Sequence, residues 1–425
     1  MALNYLFVGF FIISFIVALM RTLGYYFRDF FQETIHFTFT EADLNVFPNM
    51  VQSTFDMAET SLSIVIYLIG IMTLWLGIMK IGENAGVIEK LSKWISPFFQ
   101  KLFPDIPQDH PASGSIIMNF SANMLGLDNA ATPFGLKAMD DLQSINKDKD
   151  TASNAQIMFL VMNTSGLTLI PISVLALRGA AGAANPSDVF IPILLATFFA
   201  TLGGIIVTSI YQKINLFNKT IVKWLGSLTL IIIGFIWYLT SLPQEQVEKI
   251  SRFSGSFILY SVIVIFLVLA LKKKINIYNS FIDGAKEGFQ VGVKIIPYLV
   301  AMLVAIGVFR ASGTLELMTG GIGWVVASLG FDAAFVDALP TAFMKPLSGS
   351  GARAMMVETM DTFGADSFAG RLSAVFQGST ETTFYTIAVY YGAINIKNTR
   401  YTATAGLIAD SIGIIAAIVM AYLFF

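Results

Sequence analysis

The sequence predicts an all-α polytopic membrane protein, with about nine spans and two re-entrant hairpins set in inverted repeats. Three observations predict it: a composition poor in charge, nine apolar runs long enough to cross a bilayer, and two halves that echo each other. Hydrophobic residues make up 55% of the 425 and charged residues 13%, against roughly 25% charged in an average soluble domain.

About 18 apolar residues reach across a hydrocarbon layer roughly 30 Å thick. Runs of that kind occupy Leu3–Met20, Ser61–Gly82, Ala155–Leu177, Asp188–Tyr211, Thr220–Leu242, Ser254–Leu271, Phe289–Phe309, Leu372–Ile394 and Thr402–Phe425. The first lacks a basic leader and a small-residue cleavage site, so it reads as a retained span. The polar-leaning stretches between runs are too short to bury an independent core. There is no cysteine, which excludes disulfides, thiolate metal sites and thiol nucleophiles. A net charge of −2 with no basic patch gives no footprint for nucleic acid.

The halves correspond at four places. The stretch around Asp56, Ala58, Gly86 and Glu89 falls on Asp283, Ala285, Gly313 and Glu316, 227 positions later. "TPFGLKAM" (Thr132–Met139) falls on "SGSGARAM" (Ser348–Met355), "NTSGLTL" (Asn163–Leu169) on "GSTETTF" (Gly378–Phe384), and "ATLGGII" (Ala200–Ile206) on "DSIGIIA" (Asp410–Ala416). The common order points to an internal duplication, a recurrent feature of transporter folds.

The regions Ala112–Met139 and Asp332–Met356 are long enough to enter a membrane but rich in Gly, Ser, Asn, Pro and charge. Irregular backbone at that depth survives only inside protein or beside water, so both are read as re-entrant hairpins. Five crossings then separate the repeats and the second copy is upside down. With the amino terminus inside, inner loops hold thirteen Lys and Arg against seven outside, the asymmetry expected of a cytoplasmic (inner) membrane protein.

At this point the chain resembles a known group. "DHPASGSIIMNFSANMLGLDNAATPFGLKAMDDLQ" and "DTASNAQIMFLVMNTSGLTLIP" are similar to the spore maturation protein A family. "SFIDGAKEGFQVGVKIIPYLVAMLVAIGVFRASG", "KPLSGSGARAMM" and "DSFAGRLSAVFQGSTETTFYTIAVYYGA" are similar to the spore maturation protein B family. The resemblance implies a fusion of two usually separate proteins of the nucleoside recognition or Gate-domain group, which is similar to portions of concentrative nucleoside transporters and of the ferrous iron transporter's membrane domain. On that reading residues 1–219 are the A-like half (repeat core 51–211), 220–253 a linking span, and 254–425 the B-like half (repeat core 278–425). The linking span Thr220–Leu242 supplies the crossing needed if the first half ends inside and the second begins outside.

The run Leu372–Ile394 carries "GSTETTFYT" (Gly378–Thr386) in its middle. On a regular helix, at about 100° per residue, Ser379, Thr382, Thr383 and Thr386 share one face, while Glu381 and Tyr385 point the opposite way. Such a span is either surrounded by protein or unwinds around Gly378 so that its polar groups converge on a cavity. Its counterpart "NTSGLTLIP" contains Gly166 and Pro171. Broken spans at corresponding repeat positions are the best sequence pointer to a transporter's binding site. A carboxylate at the centre of a span costs about 2.5–3.5 kcal/mol, so Glu381 needs a partner, a cavity or a proton. One arrangement that would satisfy it without transport is an ion pair with Arg353 or Lys345. Asp410, inside the last run, raises the same question.

The predicted solute-binding residues are Asn119, Asn123, Asn129, Asn163, Thr164, Ser165, Ser348, Ser350, Gln377, Ser379, Thr380 and Thr383. Their amides and hydroxyls both donate and accept. The predicted coupling or ion-pairing residues are Glu381, Asp410, Arg353, Lys345 and Lys137; the last and Arg353 occupy equivalent repeat positions and are read as bracing each hairpin's second limb. No metal-ligand pattern, nucleotide-binding loop or hydrolase motif occurs. The function expected is a secondary transporter moving a small polar solute, nucleoside-like by kinship, driven by a proton or sodium gradient, with no cofactor and not an enzyme. The competing expectation is a non-transporting scaffold for envelope or spore maturation. The expected partners are the bilayer and the solute, not nucleic acid; a homo-oligomer is left open.

Overall fold

The computed structural model describes residues 2–36, 38–107, 109–126 and 128–425, with the side chains of residues 2–4, 6, 35 and 128–130 outside that set. Among the described residues the chain is helical and contains no strand, only an isolated bridge between Thr151 and Asn398. The first half runs α1 (Ala2–Tyr26), α2 (Val46–Asn84), α3 (Val87–Leu102), α4 (Pro111–Met124), α5 (Asp128–Ile145), α6 (Asn154–Ser165), α7 (Ile172–Ala180) and α8 (Phe190–Gln212). A connecting helix α9 (Lys219–Thr240) follows. The second half runs α10 (Gln244–Lys272), α11 (Ile277–Ala311), α12 (Thr314–Ser328), α13 (Leu339–Met344), α14 (Gly349–Phe363), α15 (Phe368–Ser379), α16 (Thr383–Ala393) and α17 (Thr402–Phe424). Apart from the short helices Arg28–Ile35 and Glu41–Leu44 of the first half, eight α-helices on either side of α9 follow the same order: a leading helix, a very long one, a shorter one, a helical hairpin, two short helices end to end, and a closing helix.

Among the described residues seven helices are long and apolar enough to cross a membrane: α1, α2, α8, α9, α10, α11 and α17. The runs Ala155–Leu177 and Leu372–Ile394, expected to be spans, are not continuous helices. The first breaks between Ser165 and Ile172, where Gly166 (φ 20°) and Pro171 leave the helical path. The second breaks at Thr380–Thr382, where Thr380 is fully extended (φ −144°, ψ 174°). Gly378 does not unwind but stays inside α15; a Cβ there would lie 2.7 Å from Ile193 of α8, so its smallness serves helix packing. Both hairpin regions form helix–turn–helix units, α4/α5 and α13/α14.

The two longest helices, α2 with 39 residues and α11 with 35, extend about 58 and 52 Å at 1.5 Å per residue. Both exceed the hydrocarbon thickness and must tilt or project beyond it. They cross along a stripe of glycines four apart. A Cβ at Gly284 would lie 2.3 Å from the Leu76 carbonyl, one at Gly288 2.4 Å from that of Met72, and one at Gly292 2.7 Å from Ile69. Since partner numbers fall as glycine numbers rise, the helices run antiparallel in backbone contact, a close approach that small residues permit. Helices α8 and α17 pair the same way: Gly203 meets Ile412, Gly413 meets Ala200, and the rings of Tyr211 and Tyr401 stack 4.3 Å apart. Each leading helix packs on the other half's long helix, α1 on α11 and α10 on α2.

The echo of Gly86 and Gly313 has a direct backbone counterpart. Both sit in the left-handed region, φ 74° and 83°, at the turns joining α2 to α3 and α11 to α12, a conformation that favours glycine. A cation from the opposite half rests beside each: Lys273 Nζ would be 2.4 Å from a Cβ at Gly86, and the Arg21 guanidinium 2.5 Å from one at Gly313.

Candidate functional site

The two helix breaks face each other at the middle of the molecule. Where α6 ends, the carbonyls of Ser165 and Gly166 have no helical partner; Thr197 of α8 donates to the Gly166 carbonyl and Thr201 to that of Ser165. These hydroxyls supply what water supplies at a helix end in solution. The opposite break then docks on the first, with the Glu381 N–H donating to the Thr164 carbonyl at 2.7 Å. Gly166 makes this approach feasible, since a Cβ there would stand 3.0 Å from Glu381 Cγ.

Each break is also tied to the hairpin of its own half. The Leu169 N–H donates to the Met124 carbonyl (2.7 Å) and the Phe384 N–H to that of Pro346 (3.0 Å). Leu169 and Phe384 are the final residues of the matched segments "NTSGLTL" and "GSTETTF", so matched donors reach the hairpin in both halves, though at different positions of it. An asparagine chain strengthens the first tie: Asn123 donates to Asn163 (2.9 Å) and more weakly to Asn119 (3.3 Å), Asn119 donates to the Ala131 carbonyl, and Asn163 to that of Phe159.

Between these elements and the α2/α11 crossing lies an open cleft of about 80 Å³ lined by Asn123, Gly126, Gly166, Thr168, Pro171, Ser173, Met72, Leu76, Val291 and Glu381. A second cleft of about 120 Å³ continues from it, sharing Met72, Ser173 and Val291 and adding Tyr298, Leu299, Ser350 and Arg353. Of the residues expected to bind solute or ions, the fold brings Asn123, Ser350, Glu381 and Arg353 to this surface. The glutamate is exposed within it while its hydroxyl-bearing neighbours Ser379, Thr380, Thr382 and Thr383 are buried. Unwinding therefore separates acid from hydroxyls instead of gathering them on one cavity. No ion pair joins Glu381 to Arg353 among the described residues.

The remaining expected residues face packing. Asn119, Asn163, Thr164 and Ser165 are buried; Thr164 and Ser165 donate back to carbonyls of their own helix, at Val161 and Met162. Ser348 caps α14, accepting from the Gly351 N–H. Buried Gln377 keeps Oε1 without a hydrogen-bond partner, and Ser379 donates to the Phe376 carbonyl. Thr383 donates to Asp410 Oδ2 (2.6 Å), whose Oδ1 is buried and unpartnered. Lys345 is buried and within electrostatic reach of Asp410, as is Glu381. The Arg353 Nε donates to the Gly349 carbonyl of its own helix, and Lys137 is exposed on α5. The side chain of Asn129 lies outside the described residues. Sequence reasoning missed Thr168 and Ser173, which line the cleft, and Lys294, an exposed cation midway along α11 between the lining residues Val291 and Tyr298.

The ends of the assembly are tied by related contacts. At the end of α7, buried Arg178 donates to the Ala365 carbonyl (2.7 Å) and pairs with Asp188 and Asp366, while Arg371 also pairs with Asp188. At the end of α16, Arg400 donates to the Ala152 carbonyl (3.0 Å) and Lys397 pairs with Asp150 (3.1 Å) in an exposed setting.

The Gate family, described as nucleoside recognition, matches residues 65–181 and 292–397, more than half of the chain and in each half the hairpin with its broken helix. The chain belongs to the Gate family. Among Gate-related proteins it is similar to Spore maturation protein A of Bacillus subtilis (strain 168), 44% identical over 156 residues that cover 37% of this chain and 80% of that protein. It is also similar to Spore maturation protein B of the same organism, 43% identical over 153 residues, or 36% of this chain and 84% of that protein. It is a multi-pass membrane protein of the Gate family related to both.

Proposed function

We propose that the chain is a secondary transporter of a small polar solute in the cytoplasmic membrane, built from two inverted repeats with the amino terminus inside. The observation that carries this reading is the meeting of two broken helices, one from each half, across a cleft that exposes Glu381 and Asn123. Unwound segments at membrane depth are costly unless they are buried in protein or line a water-filled cavity, and such breaks at matched positions are where transporters bind their solutes. The antiparallel pairings of α2 with α11 and of α8 with α17 support inversion, because corresponding elements of the halves run in opposite directions. The hairpins are then the re-entrant units that close over the solute from either side. The drive in this reading is a proton or sodium gradient, with Glu381 and Asp410 as the carboxylates available to the coupling ion.

The test is flux. Reconstituted in liposomes with imposed sodium or proton gradients, the protein is expected to accumulate a solute that first stabilises it thermally in detergent. Glu381→Gln is expected to lower that flux at least tenfold with expression near normal. Stabilising solutes that never cross under any gradient would overturn the reading in favour of a scaffold.

A further inference from the structure

The adjoining clefts differ in charge at their two ends. Glu381 lies in one and Arg353 in the other, and between them the shared wall is Met72, Val291 and Ser173, continued by Leu299 and Tyr298 on the arginine side. The Arg353 Nε donates to the Gly349 carbonyl (3.2 Å), which orients the guanidinium, while the Glu381 main-chain N–H donates to the Thr164 carbonyl (2.7 Å), which fixes the backbone at that residue. No ion pair joins the two side chains among the described residues. A largely apolar wall with an acid at one end and a guanidinium at the other is complementary to a molecule charged oppositely at its two ends. An uncharged solute would displace water from both charges and supply no countercharge, which is unfavourable.

From this geometry we infer that the cleft recognises an extended zwitterion, its ammonium at Glu381 and its carboxylate or other anionic group at Arg353, with an apolar spacer lying along Met72 and Val291. The planar guanidinium suits a carboxylate, which it meets through two parallel hydrogen bonds. The separation of the charges in the protein requires separated charges in the ligand, so a plain α-amino acid, with amine and acid on one carbon, is a poor match. This inference rests on the transport reading only in making the cleft the solute's site.

The experiment measures thermal stabilisation of the purified full-length protein by a ladder of ω-amino carboxylates from glycine to 7-aminoheptanoate. Single-ended controls are an alkylamine, a carboxylate of matched length, and uridine. An optimum at intermediate spacer length is expected, with the single-ended controls at least tenfold weaker. Glu381→Gln is expected to remove the preference for the ammonium end and bring the zwitterion level with the plain carboxylate; Arg353→Gln is expected to do the converse. Stabilisation by uridine but by no zwitterion would overturn the inference while leaving a transporter in place. A flat response along the ladder in both wild type and variants would overturn it as well, and liposome flux, which uses the solute identified by any route, decides the transport reading separately.

Discussion

Arg178 has no exposed surface and donates to the Ala365 carbonyl at 2.7 Å, which fixes the end of α7 in the first half to the start of α15 in the second. The same guanidinium neutralises Asp188 and Asp366. Removing one partner of a buried ion pair leaves the other charged and desolvated, at a cost of about 3–5 kcal/mol. Arg178→Ala is expected to destabilise the protein by about 3 kcal/mol, the lower end because Arg371 still holds Asp188. Lys397→Ala, which breaks a pair with side chains 76% and 63% exposed, is expected to change stability by less than about 1 kcal/mol. Denaturant unfolding in detergent checks both, and equal losses would remove the distinction between a buried tie at one end and a solvated one at the other.

The α2/α11 crossing makes a sharper demand. Gly284→Ala and Gly288→Ala each place a methyl group against a backbone carbonyl that cannot yield, so each is expected to cost about 1–3 kcal/mol. Gly307→Ala faces the flexible Met57 side chain and is expected to cost less. Gly320→Ala in α12 meets nothing within 4 Å and is expected to be neutral or stabilising by up to about 1 kcal/mol through helix propensity. Melting temperatures of the four variants give the ranking directly.

How far the sequence foretold this arrangement differs from element to element. The seven long apolar helices were readable because crossing a bilayer demands about 18 apolar residues in a row, and the helix–turn–helix units because Gly, Asn, Ser and Pro interrupt such a run. Helices α3 and α12, of 16 and 15 residues, fell below that length and went unread. The break at Gly166 was visible in Gly and Pro. The one at Thr380–Thr382 was expected at Gly378, whose role is instead to admit Ile193, and a glycine alone does not tell packing from unwinding. Asn119 and Asn163 looked like solute ligands, yet each donates its amide to a backbone carbonyl. Lys294 was passed over because its apolar neighbours kept the run intact.

Thr197 and Thr201 provide a test of the break itself. With Thr197→Val and Thr201→Val combined, the Ser165 carbonyl loses its hydroxyl donor from Thr201 and the Gly166 carbonyl keeps only the longer bond from Thr168 (3.3 Å). Each loss is expected to cost about 1–2 kcal/mol, and faster amide hydrogen exchange over residues 164–172 is the accompanying readout. A double variant as stable as the wild type, with unaltered exchange, would show that the hydroxyls do not cap α6.

Asp43 gives a pH dependence outside the spans. Burial raises its pKa, but the Thr40 N–H and the Arg21 guanidinium (2.6 Å) outweigh burial and hold it below the ordinary carboxylate value of 3.8. A depressed folded pKa contributes stability that is complete above the unfolded value, near 3.9, and is lost as pH falls through the folded one. The wild type is therefore expected to lose up to about 1 kcal/mol more than Asp43→Asn between pH 5 and pH 2, as read by melting temperature across that range.

The connecting helix α9 is only 6% buried over its apolar window, so it contributes little adhesion and acts mainly as a leash. Two modules joined this way meet at an effective concentration on the order of millimolar, and their stoichiometry is set at one to one by the gene itself. The seam along α2 and α11 is thereby relieved of the task of recruitment.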